Sequence, residues 1–585
     1  MARFFRIAIL MACILSAGRA FAAGGACPSG VPVTGNNCYF VAANGSDSNN
    51  GISESTPWLH APGMPNCSNT CATVQTAFGG AGSSIAGTGI IFKGGDTWHF
   101  GNSALTPYTG GAWYFIWTGS ATSCVYEGVQ TSCVYVGVDP AWFTGTSWTR
   151  PIFNADNPLS TSLVASCAFQ IPTHNFTNTF IGLTGNVVGF IFDNFELFGL
   201  CQSGTVGNGF VSDSGGSGPN TWSNLYIHGW TATTATTTYS CVGFQMSTTG
   251  HDIFIANVLD GQDSYGPACG AFTFPSIVHM KDNIFRYTSQ GVGQQCHDIH
   301  DNIFEYWYHT LDASAHSNIL ECNSDAVGPT PNVVYNNIVR HAFPSFVGNV
   351  GFWFCPNTTP EYWFNNILYD LGPAGTGNEW DIAGPPNYSS CSNTGGQFMF
   401  NNTLVDSVQP CFNPILTPGG QFLTVFNEHL INTPYNTGGN KPCTGFNDAS
   451  NVAMSTATAT SQGYTSGSGG VSGGSNSCAN ENTTPCAPTS VSNGTVGSGA
   501  NHMAYCNALA GYTSEQAIGV DAANACKFST TDGCAYILST HSMSCPAQVA
   551  TARSASTVWD VGAYQGSSSA SGRPNPPGSL TATVQ

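Results

Sequence analysis

The chain has 585 residues and few charges: Asp, Glu, Lys and Arg make up 7% of it, against about a quarter in an ordinary globular protein. Twelve Lys and Arg against 31 Asp and Glu give a net charge of −19, which argues against nucleic acid or an anionic membrane as a partner. Because 41% of the residues are hydrophobic and 12% are aromatic, the composition also excludes a disordered protein.

Residues 1–22 have the pattern of an export signal. Arg3 and Arg6 precede the apolar run IAILMACILSA, and the small residues of AFA place a cleavage site near Ala22. Without this segment, nine Lys and Arg remain against 31 acids, a net charge of −22. No later run reaches the roughly 18 apolar residues of a membrane span, so we expect a secreted protein.

The exported part contains 22 cysteines, an even number that predicts disulfides. Spacing alone does not determine which cysteines pair. Three pairs are close enough to be local: Cys67 with Cys71, Cys124 with Cys133, and Cys534 with Cys545.

A short motif, Asn followed by two mostly apolar residues, recurs along the middle of the chain. Its asparagines are spaced 16 to 36 residues apart, which is typical of a solenoid whose coils carry loops of variable length. They are Asn194, Asn224, Asn257, Asn283, Asn302, Asn318, Asn337, Asn366 and Asn402.

The residues three before and two after each asparagine are apolar or aromatic, apart from Thr221 and Glu196. Both columns are therefore predicted to face a core, with the asparagine at a bend between two short strands. An asparagine at such a bend can bond to its own turn and to the asparagine of the next coil. The repeat predicts a ladder of asparagines along one corner.

Segments at both ends of the chain add a family resemblance. They are CYFVAANGSDSNNGISESTPW (38–58), CATVQTAFGGAG (71–82), IIFKGGDTWHF (90–100) and WDVGAYQ (559–565). With the asparagine repeat, they resemble the right-handed parallel β-helix proteins of the pectate-lyase-like superfamily, in its exported bacterial form. The resemblance implies an all-β solenoid of roughly a dozen or more coils with a short N-terminal capping helix, and a polysaccharide as the substrate class.

The predicted organisation follows this resemblance. The β-helix and its cap occupy residues 23–449, and a Gly/Ser/Thr-rich loop or linker occupies 450–500. A disulfide-tied closing segment follows at 501–566, packed on the stack, and 567–585 form a disordered tail. We expect a monomer.

Charged residues lie three positions after several of the asparagines. With coils about 4.8 Å apart, Arg286 is predicted between Asp260 and Glu305, and Arg340 beside Glu321. The main interpretation is a ladder of ion pairs, each worth at most about 1 kcal/mol when exposed. Binding of a substrate by Arg286 and Arg340 is the alternative.

A candidate site lies where polar residues replace the apolar residues of the outward columns. The candidate catalytic residues are His279, Lys281, Asp298, His300 and His316. Lys281 or His300 is the candidate base, with Asp298 orienting it or holding a cation. The candidate substrate-binding residues are the sugar-stacking Tyr335 and Tyr362, the two arginines, and His309 and Asp312 of a neighbouring loop.

Four hypotheses stay open for these residues. The histidines are structural and bond loop carbonyls, or the site eliminates a uronate as a lyase does, with positive charge on the carboxylate. Elimination is the first enzymatic hypothesis, and hydrolysis is the further alternative. A hydrolase would need two carboxyls, and Asp298 with Asp312 or Asp260 with Asp263 are the candidates. The fourth hypothesis is a module that binds a polysaccharide or cell-surface glycan without cleaving it.

The sequence requires no cofactor. HDIHD (297–301) places its histidines on opposite faces of a strand and is a poor zinc site. DSNNG (47–51) resembles a calcium loop without its distal Glu. Ca²⁺ therefore remains possible, with an Asx turn as the favoured interpretation of that segment.

Overall fold

A computed structural model describes most of the chain outside the two termini and the longest loops. The described residues are 24–33, 37–78, 85–115, 133–171, 178–183, 189–203, 208–213, 220–233, 241–245, 251–265, 270–273, 277–288, 290–293, 297–307, 319–322, 331–342, 349–354, 360–371, 379–382, 397–406, 423–433, 450–467, 470, 476–512, 518–530, 535–544 and 550–565. The predicted export signal and tail lie outside them. No helix within these ranges is long and apolar enough to cross a membrane.

Three long sheets, each formed from parallel strands, run the length of the described chain. The first sheet consists of Cys38–Val41, Gly89–Gly94, Val134–Phe143, Phe190–Asp193, Thr221–Ser223, His251–Ile255, Ile277–Lys281, Asp298–His300, Asn332–Tyr335, Glu361–Phe364, Gln397–Phe400 and Leu423–Phe426. The second sheet consists of Thr97–His99, Ile152–Asn154, Glu196–Phe198, Tyr226–His228, Val258–Asp260, Ile284–Arg286, Ile303–Glu305, Ile338–Arg340, Ile367–Tyr369, Thr403–Val405, His429–Ile431 and Val452–Met454. The third sheet consists of Trp113–Phe115, Asn178–Leu183, Asn208–Asp213, Cys241–Gln245, Gly270–Thr273, Gln290–Gly293, Leu320–Cys322, Asn349–Phe354 and Glu379–Ile382.

Each coil visits the third, first and second sheets in turn, and each strand pairs with the equivalent strand of the next coil. The predicted right-handed parallel β-helix is confirmed. Two smaller pairs also occur: Cys201–Gln202 lies parallel to Thr231–Ala232, and Ala535–Ile537 forms an antiparallel hairpin with Ser542–Ser544. Four helices are described: α1 (Asn69–Phe78), α2 (Thr456–Ser461), α3 (Met503–Leu509) and α4 (Ile518–Cys526).

The core is a continuous column of apolar side chains inside the coils. On the first sheet it runs through Phe192, Trp222, Phe254, Met280, Ile299, Val334, Trp363, Met399 and Val425, none more than 3% exposed. Six of these lie three residues before a motif asparagine, as predicted. At the two N-terminal motifs the prediction is wrong by one residue, because Phe192 and Trp222 face inward in place of Ile191 and Thr221.

The asparagine ladder is present at six consecutive coils: Asn257, Asn283, Asn302, Asn337, Asn366 and Asn402. From Asn283 onward, the side-chain oxygen of each accepts the backbone N–H of the preceding asparagine, as from Asn283 to Asn302 at 3.0 Å. Its side-chain nitrogen donates to the oxygen of the next asparagine, as from Asn302 to Asn337 at 3.0 Å. The ladder satisfies buried backbone groups that the bend would otherwise leave unpaired.

The ladder continues past the last predicted member. Glu428 occupies the next position, where its Oε1 accepts from the backbone and side chain of Asn402 at 3.1 and 3.0 Å. Its other oxygen is buried with no hydrogen-bond partner among the described residues. Burial raises the pKa of this carboxyl well above its usual range, so the protonated acid is favoured. A protonated carboxyl resembles the side-chain amide of the asparagines in the ladder.

Two predicted ladder positions are wrong, and a third, Asn318, lies outside the described residues. Asn194 and Asn224 lie one residue earlier, in the left-handed conformation at φ 65° and 52°, and Leu225 takes the ladder position of the second. The strand predicted to follow Asn318, Leu320–Cys322, belongs to the third sheet. The 16- and 19-residue spacings around Asn318 are therefore two parts of one 35-residue coil from Asn302 to Asn337.

The segment after residue 450 packs against the outside of the stack. In the described part of 450–500, Tyr464 and Cys478 pack on Tyr369 and Val405 of the second sheet. Helices α3 and α4, tied by the Cys506–Cys526 disulfide, cover the last coils of the first sheet. The hairpin at 535–544 lies on earlier coils of the second sheet, where Tyr536 and Met543 contact Tyr226 and its neighbours.

Five disulfides are described: Cys27–Cys38, Cys67–Cys71, Cys167–Cys201, Cys478–Cys486 and Cys506–Cys526. The predicted local pair Cys67–Cys71 is confirmed. The partner of Cys133 and the predicted Cys534/Cys545 pair lie outside the described residues.

Candidate functional site

Four of the five predicted catalytic residues lie together on two adjacent strands of the first sheet. His279 pairs in register with Asp298, and Lys281 pairs with His300. Between them, Met280 and Ile299 point into the core with 0% exposure. Since side chains alternate along a strand, the four polar side chains share the outer face.

Asp298 links the two histidines. Its Oδ2 lies 3.3 Å from Nδ1 of His279 and 3.9 Å from Nε2 of His300. The other ring nitrogen of His300 lies 2.6 Å from Oδ2 of Asp301, and the ring stacks on Tyr335 at 4.6 Å between centroids. His300 is therefore held on three sides.

This environment favours the charged form of His300. Burial alone would lower the pKa of His300, but the charge of Asp298 and the hydrogen bond to Asp301 outweigh it and raise the pKa to about 9. Burial alone would raise the pKa of Asp298. The charge of His300 and the hydrogen bond from His279 outweigh burial, and the pKa of Asp298 lies below its usual range. The raised pKa favours the imidazolium form of His300 at neutral pH and disfavours its predicted role as a base there.

The site has a buried layer and a partly exposed layer. His279 and Asp298 are each 7% exposed, and Nε2 of the first and Oδ1 of the second have no hydrogen-bond partner among the described residues. Lys281, Asp282, His300 and Asp301 are partly exposed. The exposed layer is the part that a ligand can reach.

Two of these residues, Asp282 and Asp301, were not predicted. They occupy equivalent positions at the corner just before the ladder asparagine, on adjacent coils. Every described residue of this corner column from 194 to 427 has the left-handed conformation, at φ between 52° and 65°: Asn194, Asn224, Ala256, Asp282, Asp301, Asn336, Asn365, Asn401 and Asn427. Asparagine and aspartate both tolerate this conformation, but two adjacent aspartates repel each other where asparagines would not.

That repulsion is visible in the ionisation of Asp282. Burial and the charge of Asp301 raise the pKa of Asp282 to about 6, against the opposing charges of His300 and Lys281. Asp301 instead accepts the short hydrogen bond from His300. The corner therefore holds one carboxyl with a raised pKa beside a second that is hydrogen-bonded to His300.

Elsewhere in the same corner column, the C-terminal segment covers the asparagines. Asn365 donates to the carbonyl of Phe528, Asn401 to that of Asp560, and Asn427 to that of Ala500. Those asparagines anchor the segment to the stack. Asp282 and Asp301 lie on coils before this covered region.

A second pair of corner aspartates has a structural role. Asp370 and Asp406 are at most 1% exposed, and they accept hydrogen bonds from His341 and Asn476 respectively. Adjacent aspartates alone therefore do not define a site. Asp282 and Asp301 differ from this buried pair because they are partly exposed and lie beside Lys281.

The predicted sugar-stacking role of Tyr335 and Tyr362 is contradicted. They are 2% and 3% exposed, packed in one cluster with Leu509 of α3 and Ala522 of α4. Their rings continue a column of stacked aromatic side chains, with Tyr335 4.9 Å from Phe364. No face of these two rings is left for a sugar, because the C-terminal helices pack on this aromatic column.

Arg286 and Arg340 form the predicted ladder of ion pairs, but in a buried setting. Arg286 lies 3.4 Å from Asp260 and 3.2 Å from Glu305, and Arg340 lies 2.8 Å from Glu305. The predicted partner of Arg340, Glu321, belongs to the third sheet instead. The arginines are 8% and 5% exposed, so a substrate cannot reach them as the alternative requires.

The remaining predicted residues fall into two groups. His309, Asp312 and His316 lie outside the described residues. Asp260 is engaged by Arg286, and Asp263 lies 2.7 Å from Nδ1 of His228.

The possible calcium loop is a structural turn. The carboxylate of Asp47 accepts backbone N–H groups of Leu59, His60 and Ser68, and it lies 2.9 Å from the His60 ring. Within the described ranges, no three His, Cys, Asp or Glu side chains are arranged to hold a metal ion.

No known family model matches the chain, and no curated protein is similar to it in sequence. Similar solved structures include pectate lyase Pel9A, at 16% identity over 80% of this chain and 93% of that one, with a TM-score of 0.38. The GH136 lacto-N-biosidase from Eubacterium ramulus has 12% identity over 72% and 67%, with a TM-score of 0.38. A rhamnogalacturonan lyase has 13% identity over 72% and 87%, with a TM-score of 0.33. At such identities and TM-scores, these similarities carry no information about the activity of this chain.

Proposed function

We propose that the protein is an exported enzyme that hydrolyses a polysaccharide at the corner formed by Asp282 and Asp301. The observation that carries this proposal is the pair of partly exposed carboxyls on adjacent coils, in a corner column that otherwise contains asparagine and one alanine. Glycoside hydrolysis needs two carboxyls, one protonated and one ionised.

The two aspartates divide these roles by their environments. Asp282, with a pKa of about 6, is the general acid that protonates the oxygen of the scissile bond. Asp301, which accepts the hydrogen bond from His300, takes the ionised role. Adjacent rungs are about 4.8 Å apart. Two carboxyls separated by about this spacing would match the roughly 5–5.5 Å of retaining glycosidases, which gives Asp301 the role of nucleophile in this proposal.

The neighbouring residues set up this division. His300 orients Asp301 and keeps it charged, and Asp298 with Tyr335 holds the His300 ring in place. Lys281 lies in register with His300 and favours ionised carboxyls around it. A substrate would approach along the outer face beside α4, since that helix contacts Asn332–Tyr335.

Elimination is the second candidate. Lys281 is partly exposed beside the positive His300, so these two residues could together take a proton from a uronate and hold its carboxylate. Hydrolysis is favoured over elimination because Asp298 and Asp301 both contact His300, which leaves its positive charge less able to hold a substrate carboxylate. A purely glycan-binding protein is the third outcome.

Product analysis on a panel of polysaccharides separates these candidates. Hydrolysis releases reducing ends without unsaturated products, and Asp282→Asn and Asp301→Asn should each reduce the rate by about 10²–10⁴-fold. Asp139→Asn is the matched control, since Asp139 lies on Val134–Phe143 of the same sheet, away from the site. Unsaturated products abolished by Lys281→Ala would establish elimination instead, and glycan retention without any product would establish a binding protein.

A further inference from the structure

The described arginines of this protein are all engaged in its own structure. Seven of the nine Lys and Arg that follow the export signal are described: Lys93, Arg150, Lys281, Arg286, Arg340, Lys527 and Arg553. All four arginines among them bond within the chain.

Two of these arginines bond to carboxylates and two to backbone or amide oxygens. Arg286 and Arg340 form the ion pairs with Glu305. Arg150 donates to the carbonyls of Asn224 and Thr540 at 2.9 and 3.2 Å.

Arg553 is 4% exposed and donates to Asn365 Oδ1 at 2.8 Å and to the carbonyl of Phe528. Lys281 is the one described Lys or Arg on the two strands that carry the site.

Negative charge predominates around the site. Asp298 and Asp301 both contact His300, which stacks on Tyr335, and Asp282 occupies the corner position equivalent to Asp301 on the adjacent coil. Besides burial, the charges of these three carboxyls and of Asp521 raise the pKa of the Tyr335 hydroxyl. Lys281, His300 and, where protonated, His279 and His297 are the positive groups beside them. The balance is negative within a chain whose exported part already carries −22.

A polyanionic glycan would be repelled by such a site. Recognition of carboxylate or sulfate groups depends on arginine forks or clustered lysines, and the described arginines are committed elsewhere. Sugar hydroxyls, in contrast, donate hydrogen bonds to carboxylates, and ionised acceptors make these bonds strong.

We propose that the substrate is an uncharged polysaccharide and not a uronate or sulfated polymer. This inference rests on the proposed carbohydrate activity and specifies its substrate class. It differs from the expectation that the family resemblance raised, in which a lyase would act on an acidic polymer.

Binding should be measured by affinity electrophoresis through gels containing neutral polymers (β-glucan, mannan, xylan and galactan) or acidic polymers (polygalacturonate, alginate and hyaluronan). The wild-type protein should be retarded by at least one neutral polymer and by none of the acidic ones. Retardation by the neutral polymer should weaken in Asp282→Asn and Asp301→Asn.

A charge-reversing variant tests the electrostatic reason. Asp521 lies in the first turn of α4, and Asp521→Lys should raise affinity for the acidic polymers about fivefold or more, since it changes the local charge by two. Asp139→Lys makes the same change four rungs from the strand of Lys281, about 19 Å away, and should have little effect. Equal effects of the two variants would contradict the local charge argument.

The outcomes separate the two proposals. Retardation by an acidic polymer, lost in Asp282→Asn, would overturn the substrate class and leave the carbohydrate activity standing. No retardation by either class, with no cleavage, would overturn both.

Discussion

The asparagine ladder makes a sharp prediction for Asn302, whose side chain is fully buried. Its oxygen accepts from the backbone and side chain of Asn283 at 3.0 and 2.9 Å. Its nitrogen donates to the carbonyls of Met280 and His300 and to the side-chain oxygen of Asn337, at 2.9–3.0 Å. Replacement by alanine removes all five bonds.

The size of the effect follows from these partners. The backbone N–H of Asn283 loses its acceptor, which costs about 1–3 kcal/mol when buried. The four other bonds contribute about 0.5–1.5 kcal/mol each, partly recovered by rearrangement. We expect Asn302→Ala to lower the free energy of unfolding by about 3–6 kcal/mol.

Hydrogen exchange locates this loss, which a melting curve for a long repeat protein does not. In Asn302→Ala, the peptide covering 277–288 should exchange roughly a hundred- to ten-thousandfold faster, and the peptide covering 360–371 should be much less affected. Asn524→Ala is the matched control, because Asn524 is exposed on α4, and it should change neither peptide. Unchanged protection of 277–288 in Asn302→Ala would refute the structural role of the ladder.

Three further changes test the buried charges. Glu428→Gln should stabilise the protein against thermal unfolding at pH 7 but not near pH 4. The pKa of Glu428 is raised in the folded state, so ionisation of this carboxyl destabilises the fold as the pH rises above the unfolded pKa of about 4.3. Arg340→Met should cost about 3–5 kcal/mol in denaturant unfolding, with part recovered in the double variant with Glu305→Gln; full additivity would contradict the pairing. Asp298→Asn should move the NMR titration midpoint of His300 from about 9 toward the ordinary 6.5. The raised pKa of His300 stabilises the fold below about pH 6.5, and this stabilisation is lost as the pH rises through about 9. In Asp298→Asn, the loss of stability with rising pH should therefore begin at a lower pH. An unmoved titration midpoint of His300 would contradict the role of Asp298.

The repeat in the sequence predicted the fold because the ladder imposes one residue type at one position of every coil. It misled at Asn194 and Asn224, because the left-handed corner one residue earlier also selects asparagine. It misled at Asn318 because a chance match to the motif preceded a strand of the third sheet. Spacing alone does not distinguish a whole coil from part of one.

The site was only partly predictable for a different reason. Polar residues at outward positions identified His279, Lys281, Asp298 and His300, since local alternation determines which face they occupy. The covering of Tyr335 depends on helices about 170 to 190 residues later in the chain, which no local pattern reveals.

The aspartates of the site left a faint signal in the sequence. DNIF occurs twice, at 282–285 and 301–304, where the next three coils have Asn-Asn. Asp282 and Asp301 stand out in this motif because asparagine is the commonest residue of the corner.

The unequal carboxyl pair is the central claim, and its titration tests it without any substrate. In protein labelled with ¹³C at the aspartate carboxyl, Asp282 should titrate with a midpoint near 6, and Asp301→Asn should shift that midpoint downward by removing the neighbouring charge. Signals are assigned by comparison with Asp282→Asn. An Asp282 that titrates near the ordinary value of about 3.9, unaffected by Asp301→Asn, would contradict the account.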